Sequence, residues 1–358
     1  MDFFVVVIAG GKGTRFWPLS RVKKPKQFLP IISDKTMIEE TIHRLLSEVP
    51  SSNIFTIANS EQTQIIKCLL PNIPEENFLV EPQGKNTAPS LMLATAAIYL
   101  ENPRAVLAVL PADHLIKDSS LFLKKLKVSA AAAAKGEHLI TFGIPPTYPS
   151  TGYGYIRFSQ ENPLSVQGEN FFHVQGFKEK PDYKQAQTFV EDGNYYWNSG
   201  MFLWRAEVFA KKLRSFSPDI FPYWEKILKA LRYKNDAKIA SIFKEIPSIS
   251  IDFALMEKAK GIMMCKGEFG WSDVGSWSSL ADIWAKDKYG NNFRTDSIVL
   301  DSENCLVYNP QKITALIGVK DIIVVNTEDA LLICRKDQDQ KVKNIVGIIE
   351  KKGKIEHL

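Results

Sequence analysis

The chain opens on a continuous apolar run, Phe3-Phe4-Val5-Val6-Val7-Ile8-Ala9. A short, β-branched run of this kind reads as a strand buried on both faces, as in a parallel sheet. Ile38, Ile42, Leu45, Leu46 and Val49 then recur at helical spacing and predict an amphipathic helix. Asn53–Ala58 reads as a second strand, Glu61–Leu69 as a helix stopped by Pro71, and Phe78–Pro82 as a short strand leading into a loop. Pro89 suits the first turn of a helix running through Leu91–Leu100. Ala105–Leu110 is a further buried strand, ending at Pro111-Ala112-Asp113-His114. An alanine-rich helix and the strand Leu139–Gly143 follow. Strand and helix in this alternation predict an α/β fold with a doubly wound, mixed but mainly parallel sheet.

The middle of the chain is less regular. Segments around Thr151–Ile156 and Gly176–Pro181 read as strands and loops bordering a pocket, Tyr196–Phe202 leads into an apolar strand, and residues 206–246 read as mostly helical. Ile251–Lys258 predicts a short helix capped by Ser250 or Asp252. After about Trp284 short apolar strands (Ser297–Leu300, Ile313–Ile317, Ile322–Val325, Ala330–Cys334) alternate with Asn, Asp and Gly turns, which predicts a small all-β unit. Lys341–Leu358 reads as a helix or a frayed tail. No long internal repeat is expected. By chain order the domains are residues 1–285 and 286–358.

Length and composition narrow the function. At 358 residues, two domains is the prior. No apolar stretch approaches the roughly 20 residues of a membrane helix, and no signal peptide is visible, so a cytoplasmic protein without a membrane partner is expected. Cys68, Cys265, Cys305 and Cys334 form no CxxC pair, which argues against a disulfide scaffold or zinc ribbon. The net charge of +5 is too mild to suggest nucleic acid.

That charge is concentrated, however. Between Phe3 and Ser33 stand Lys12, Arg15, Arg21, Lys23, Lys24 and Lys26, without an acidic residue. The first strand ends in Gly10-Gly11-Lys12-Gly13-Thr14-Arg15. A glycine-rich turn at the carboxyl end of a first parallel strand is where α/β folds bind phosphates, because glycines let N–H groups converge on an anion. The P-loop and dinucleotide patterns both fail here: no Gly-Lys-Ser/Thr follows, and Phe16 stands where a third glycine is needed. Phe16, Trp17 and Phe28 read as loop anchors rather than stacking platforms for bases. Asp113, after its strand, falls in the ligand crevice of such a sheet. Magnesium takes one or two carboxylates together with phosphate oxygens, and Asp273 in Gly270-Trp271-Ser272-Asp273-Val274-Gly275-Ser276-Trp277 offers the second. A lone Asp after a strand can equally be a helix cap.

The run GGKGTRFWPLSRVKKPKQF resembles the signature of sugar-nucleotide pyrophosphorylases, and most closely that of the mannose-1-phosphate guanylyltransferases; Phe16 replaces a more usual leucine. PADH followed by GWSDVGSW matches the same family. The resemblance implies a Rossmann-like nucleotide-diphospho-sugar transferase domain, a rudimentary left-handed β-helix at the C-terminal end, and subunit contact through that end, hence a homodimer. It implies a nucleotide site of Gly10, Gly11, Gly13, Thr14, Arg15 and Lys26, with Glu81, Gly84, Asn86 and Thr87 from a loop facing the guanine. It implies sugar-phosphate contacts from Gly152, Glu179, Lys180 and Asn198, and Mg²⁺ on Asp113 and Asp273. For Glu179 and Lys180 a solvated surface pair is the plainer alternative, and for Thr87 a helix cap.

Arg15, Lys26, Asp113 and Asp273 are therefore the expected catalytic groups, for transfer of GMP from GTP to α-D-mannose 1-phosphate with release of pyrophosphate. No His/Asp or Cys/His constellation suggests a general base. Two rivals are a pyrophosphorylase for another sugar phosphate or nucleotide, and a non-catalytic regulatory relative, which would be expected to lack Lys26, Asp113 or Asp273. The residues after Trp284 are too few for a fused cupin-type isomerase, so a single activity is expected.

Overall fold

The computed structural model describes residues 2–11, 13–294 and 296–358; Lys12 of the basic run lies outside them. Packing sorts these residues into two compact units that do not follow chain order. The first comprises residues 1–10, 42–111 and 116–271; the second comprises residues 11–41, 112–115 and 272–358. The chain thus leaves the first unit at the glycine turn, and the segments carrying Asp113 and Asp273 belong to the second. Division at residue 285 would separate segments that share a core.

The first unit is built on one large sheet. Its strands are β1 (Phe3–Ile8), β2 (Ile54–Ala58), β3 (Phe78–Val80), β4 (Val106–Pro111), β5 (Leu139–Ile144), β6 (Tyr155–Phe158), β7 (Leu164–Val166), β8 (Glu169–Lys178), β9 (Tyr195–Arg205) and β10 (Ile262–Lys266). They lie in the order β3-β2-β1-β4-β9-β5-β10-β8-β6, with β7 on β8 and β6 also on β9. β1 pairs in parallel with β2 and β4, with Val5 opposite both Ile54 and Ala108. Parallel pairing requires crossovers, and helices α1 (Met37–Leu46), α2 (Ser60–Leu69), α3 (Thr87–Glu101) and α4 (Ser119–Lys135) supply them. The strand–helix rhythm of the first 145 residues produces this parallel part. β9 enters antiparallel between β4 and β5, and β6, β7 and β8 are antiparallel to their neighbours. These strands come from the stretch that lacks the rhythm.

β1, β4 and β5 are apolar on both faces because both are covered. Val6, Leu107, Val109 and Leu139 join Leu91, Met92, Trp204, Phe209 and Trp224 in one core. α3 is apolar nearly all round and is accordingly buried through most of its length.

The second unit holds the small β structure. Asn292–Arg294, Leu306–Tyr308 and Ile322–Asn326 pair in parallel, and Leu331–Arg335 closes the row antiparallel. Ser297–Leu300 and Thr314–Ile317 form a second parallel pair. The first of these pairings steps by 14 residues, with Asn292 opposite Leu306, whereas two others step by 17, with Ser297 opposite Thr314 and Leu306 opposite Ile323. Side chains follow the same step, with Glu303 to Lys320 and Asn309 to Asn326 hydrogen-bonded, and Asn304 to Asp321 likewise. The corners repeat as well. Asp301 and Gly318 both have positive φ, as do Asn304 and Asp321. This step of 17 residues links two short coils and is compatible with the expectation of no long internal repeat. Only Val307/Val324 and Asn309/Asn326 are identical between the two coils; the rest keep only apolar or turn character.

One core in this unit joins the N-terminal loop to the late strands. Phe16, Trp17, Leu29 and Ile31 are buried with Val274, Trp277, Trp284, Leu306, Ile323, Val325, Leu332 and Val342. Trp277 Nε1 donates to Trp17 O (3.1 Å), and Trp284 Nε1 to Ile31 O (2.8 Å). The anchoring role expected for Phe16, Trp17 and Phe28 is observed, since all three are buried. The final segment is ordered, with a helix over Val342–Lys351 and a short turn over Ile355–His357.

Candidate functional site

In the second unit, the glycine turn and Lys26 are fitted to each other. Gly13 has φ 58°, and a Cβ there would fall 2.5 Å from Lys26 Cβ and 2.8 Å from Lys26 N, so only glycine fits. Its carbonyl accepts from Phe16 N (3.0 Å) and Ser20 Oγ (2.7 Å), which closes the turn. Gly11 also has positive φ, and its carbonyl lies 3.4 Å from Gln27 Nε2.

Lys26 is only 5% exposed. Its ammonium donates to Asp113 O (2.9 Å), Asp113 Oδ2 (2.9 Å) and Asp273 O (2.5 Å). An ammonium has three N–H bonds, and these three oxygens match them. One buried cation therefore ties together the loops that carry the two aspartates. Burial alone would raise the Asp113 carboxyl, but the Lys26 charge, with His114, outweighs it and holds the group below its ordinary value. Asp113 is thus ionised at neutral pH.

Asp273 sits on a constrained backbone. Val274 is fully buried with φ 45°, a conformation costly for a β-branched residue. A Cβ on Gly275 would lie 2.8 Å from Asp273 Oδ2, so this glycine leaves room for the carboxylate. Arg15 lies in the turn over Thr14–Phe16, and its Nε is buried with no hydrogen-bond partner. A buried, unmatched guanidinium donor beside a glycine turn suits a phosphate oxygen. Lys23 and Lys24 are exposed.

The donor set fits magnesium. Among the described residues no group of three or more His, Cys, Asp or Glu could hold a metal. Two carboxylates with the remaining ligands drawn from phosphates and water is the arrangement magnesium accepts.

The other predicted residues lie in the first unit. Gly10 lies two residues after β1 and is exposed. In the loop 81–89, Glu81 is buried and accepts from Lys85 N (3.1 Å). Burial raises its carboxyl against that bond and one from Ser90. Glu81 thus holds the loop in shape. Gly84 has open space where a Cβ would be. Asn86, at φ 67°, caps α3 by accepting from Thr87 N (2.8 Å). Thr87 is therefore not the cap; its Oγ1 accepts from Ile251 N (2.9 Å).

Gly152, Glu179, Lys180 and Asn198 mark a second cluster. Gly154 N-terminal to β6 would place a Cβ 2.5 Å from Glu179 Oε2 and 3.5 Å from Asn198 Cβ. Its carbonyl accepts from Asn198 N (2.8 Å). Gly152, two residues earlier, is exposed, and its N–H donates to Ser150 Oγ (3.2 Å). Lys180, at φ 44°, pairs with Glu179 Oε1 at 2.6 Å while its side chain stays 59% exposed. Glu179 is largely covered, so the pair is anchored at its acidic end and open to solvent at Lys180.

Two features here escaped sequence reading. Asp252 accepts from Asn198 Nδ2 (2.9 Å); in sequence it reads only as a candidate cap. Tyr148, Tyr153, Trp197 and Trp271 form a chain of ring contacts, with centroids 4.9, 4.9 and 5.5 Å apart. Their spacing in sequence has no period that could reveal it.

Comparison with known proteins shows the class to which this fold belongs, the nucleotidyltransferases. Residues 4–289 match the family described as nucleotidyl transferase, and residues 295–348 the MannoseP isomerase/GMP-like beta-helix domain. The chain is 41% identical over 358 residues to the alginate biosynthesis protein AlgA of Pseudomonas aeruginosa, covering 98% of this chain and 73% of that protein. It is 38% identical over 362 residues to a mannose-1-phosphate guanylyltransferase of Escherichia coli, covering 98% and 76%. A crystal structure from Thermus thermophilus, described as a mannose-1-phosphate geranyltransferase, matches with a TM-score of 0.86 at 32% identity, over 98% of this chain and all of that one. The chain belongs to the mannose-1-phosphate guanylyltransferase family. No described helix is long and apolar enough to cross a membrane.

Proposed function

We propose that this protein transfers GMP from GTP to α-D-mannose 1-phosphate, giving GDP-mannose and pyrophosphate, with Mg²⁺ as cofactor. A phosphate oxygen of the sugar phosphate attacks the α-phosphorus in line. The bond from that phosphorus to the bridging oxygen breaks, and pyrophosphate leaves with the electron pair. The attacking oxygen is already anionic, so no general base is required. Catalysis then rests on positioning and charge.

The observation that carries this reading is the Lys26 ammonium, which joins the Asp113 and Asp273 loops beneath a glycine turn. Asp113 and Asp273 would hold Mg²⁺, which supplies charge neutralisation on the reacting phosphates. Lys26 keeps both loops in place and adds a fixed positive charge. Arg15 would bind the departing pyrophosphate through the guanidinium whose Nε has no partner. Loop 81–89 would face the guanine. Glu179 would accept from the sugar hydroxyls, Asn198 would donate to one, and Lys180 would meet the sugar's phosphate. Substrates of this kind, and four unpaired cysteines, suit the cytoplasm.

We further propose a homodimer formed through the β coils. Ile298, Leu300 and Ile317 on the pair Ser297–Leu300 and Thr314–Ile317 are 60%, 56% and 69% exposed. Adjacent exposed aliphatic side chains on a short sheet call for a cover.

Pyrophosphate release from a matrix of GTP, UTP, dTTP and ATP against mannose and glucose 1-phosphates tests the assignment. The GTP and mannose 1-phosphate pair should dominate. Preference for another nucleotide or glucose 1-phosphate would move the protein to a different pyrophosphorylase specificity, and no release with any pair would overturn the reading.

A further inference from the structure

Asp252 is a carboxylate that the proposed chemistry does not use. It begins a single π-type turn, Asp252–Met256, in which Glu257 N bonds back to Asp252 O (2.9 Å). Such turns are rare and often occur at functional sites. Ser250 supplies the cap, since its Oγ accepts from Phe253 N (3.3 Å), so capping does not explain Asp252. Ala254, Leu255 and Met256 are buried in the core. The preceding segment is strapped to loop 81–89 by Ile249 N to Lys85 O (3.2 Å), Ala88 N to Ile249 O (3.1 Å) and Ile251 N to Thr87 Oγ1 (2.9 Å). The backbone on both sides thus fixes where the Asp252 carboxyl stands.

Its partner is Asn198, and the partner's orientation is determined. Asn198 Oδ1 accepts from Gly200 N (3.1 Å), with Thr141 Oγ1 at 3.4 Å, so the amide nitrogen faces Asp252 Oδ1 at 2.9 Å. An amide NH₂ has two hydrogens. One goes to Asp252, and the direction of the other is then set.

We infer that Asp252 is a positioning residue of the sugar subsite: its carboxylate locks the Asn198 amide so that the second N–H is presented to a hydroxyl of the sugar phosphate. This rests on the sugar-binding role proposed for Asn198. The charged groups around Asp252 make the arrangement costly. Burial first, then the Glu179 carboxylate, raise the Asp252 carboxyl; the bond from Asn198 and the Lys180 ammonium lower it, and the net result is about 6, against an ordinary 3.8. The Lys180 ammonium is bonded to Glu179 instead. At neutral pH the protein therefore holds a negative charge where an uncharged amide would be more stable. A residue present only for the fold would not be an aspartate here.

The sign of the pH effect follows. With its folded value above its unfolded one, Asp252 takes up a proton on folding, and stability falls as pH rises from about 3.8 to about 6. Asp252→Asn removes that loss. Its melting temperature should exceed wild type at pH 7.5 by about 2 °C or more, with the difference fading towards pH 4. The amide oxygen introduced by Asp252→Asn can still accept from Asn198, so the KM for the sugar phosphate should rise only about threefold, whereas Asp252→Ala should raise it about tenfold, the equivalent of one lost hydrogen bond. In both variants kcat and the KM for GTP should stay within about twofold. Adding Asp252→Ala to Asn198→Ala should raise KM no further, because Asp252 acts through Asn198.

An unchanged sugar-phosphate KM in Asp252→Ala, or additive effects in the double variant, would overturn the inference. So would a lower melting temperature for Asp252→Asn at pH 7.5. A wild-type protein that transfers to no sugar phosphate at all would instead overturn the proposed function, and is seen before any variant is made.

Discussion

Lys26 shows how much one side chain can organise. Its three N–H bonds reach Asp113 and the Asp273 carbonyl, so removing it leaves two loops untied and a carboxylate without its cation. Lys26→Ala should lower kcat by about 10²–10³, with a smaller effect on the KM for mannose 1-phosphate; equal losses in both would contradict the role. Gly275→Ala is a finer probe. Its added methyl would stand 2.8 Å from Asp273 Oδ2, and Gly275 is not among the positive-φ glycines. The expected result is a several-fold higher Mg²⁺ requirement with an unchanged melting temperature. Glu179→Gln should raise the sugar-phosphate KM and spare kcat, the reverse of Lys26→Ala. Steady-state kinetics on the three variants reads all of this. As candidates, Lys26 was legible in its basic run behind a glycine turn and Asp113 at the end of an apolar strand, whereas Asp273 and Glu179 stood out mainly through the family resemblance of their strings. Asp252 was not legible, since an aspartate near a helix start has an ordinary explanation in capping, and only the bond to Asn198 shows otherwise.

Among the elements, the last helix has more to do than its lysine-rich sequence suggests. Val342 is buried in the core that holds Phe16 and Trp17. Trp17 Nε1 donates to His357 O (2.8 Å), and Arg21 and His357 both contact Asp329, at 2.6 and 3.0 Å. Burial raises the Asp329 carboxyl, but its bonds from His357, Thr327 and Arg21 prevail and pull it down to about 2. Its contribution is therefore complete above about pH 3.8 and is lost as pH falls towards 2, so the Asp329 carboxylate stays charged throughout the neutral range. Ending the chain after Lys341 should loosen the glycine turn. A loss of activity of at least about tenfold, with a lower melting temperature, is expected; full activity would show that the turn stands without the helix. The β coils lend themselves to the same lesson. Their strands were partly visible as apolar runs, but Asn292–Arg294 and Leu306–Tyr308 were not, being only three residues long. The 17-residue step between the two coils leaves little trace in sequence, because a coil constrains which positions are apolar or turn and leaves their identity free.

For the whole molecule, an assembly role for the β coils and a part in supporting the phosphate turn are compatible, since the exposed Ile298, Leu300 and Ile317 differ from the residues packed on Phe16 and Trp17. Light scattering on the intact protein should give twice the 40.4 kDa chain mass. Ile317→Asp should shift it towards monomer without abolishing activity; a wild-type monomer at micromolar concentration would remove the dimer and leave the transferase standing. The amino-acid sequence by itself determined the parallel half of the sheet, because strands buried on both faces must be apolar throughout and must be joined by helices. It also carried the strings GGKGTR, PADH and GWSDVGSW, on which the resemblance to the family rests, because a tight glycine turn beside bases leaves little choice of residue. Tertiary structure alone decided which distant segments share a core: residues 11–41 with 272–358 rather than with their chain neighbours. It also decided that β9 enters antiparallel, and that Asp252 meets Asn198. The reason is physical. Periodicity reports whether a residue is buried, and burial is satisfied equally well by many partners; only packing chooses among them.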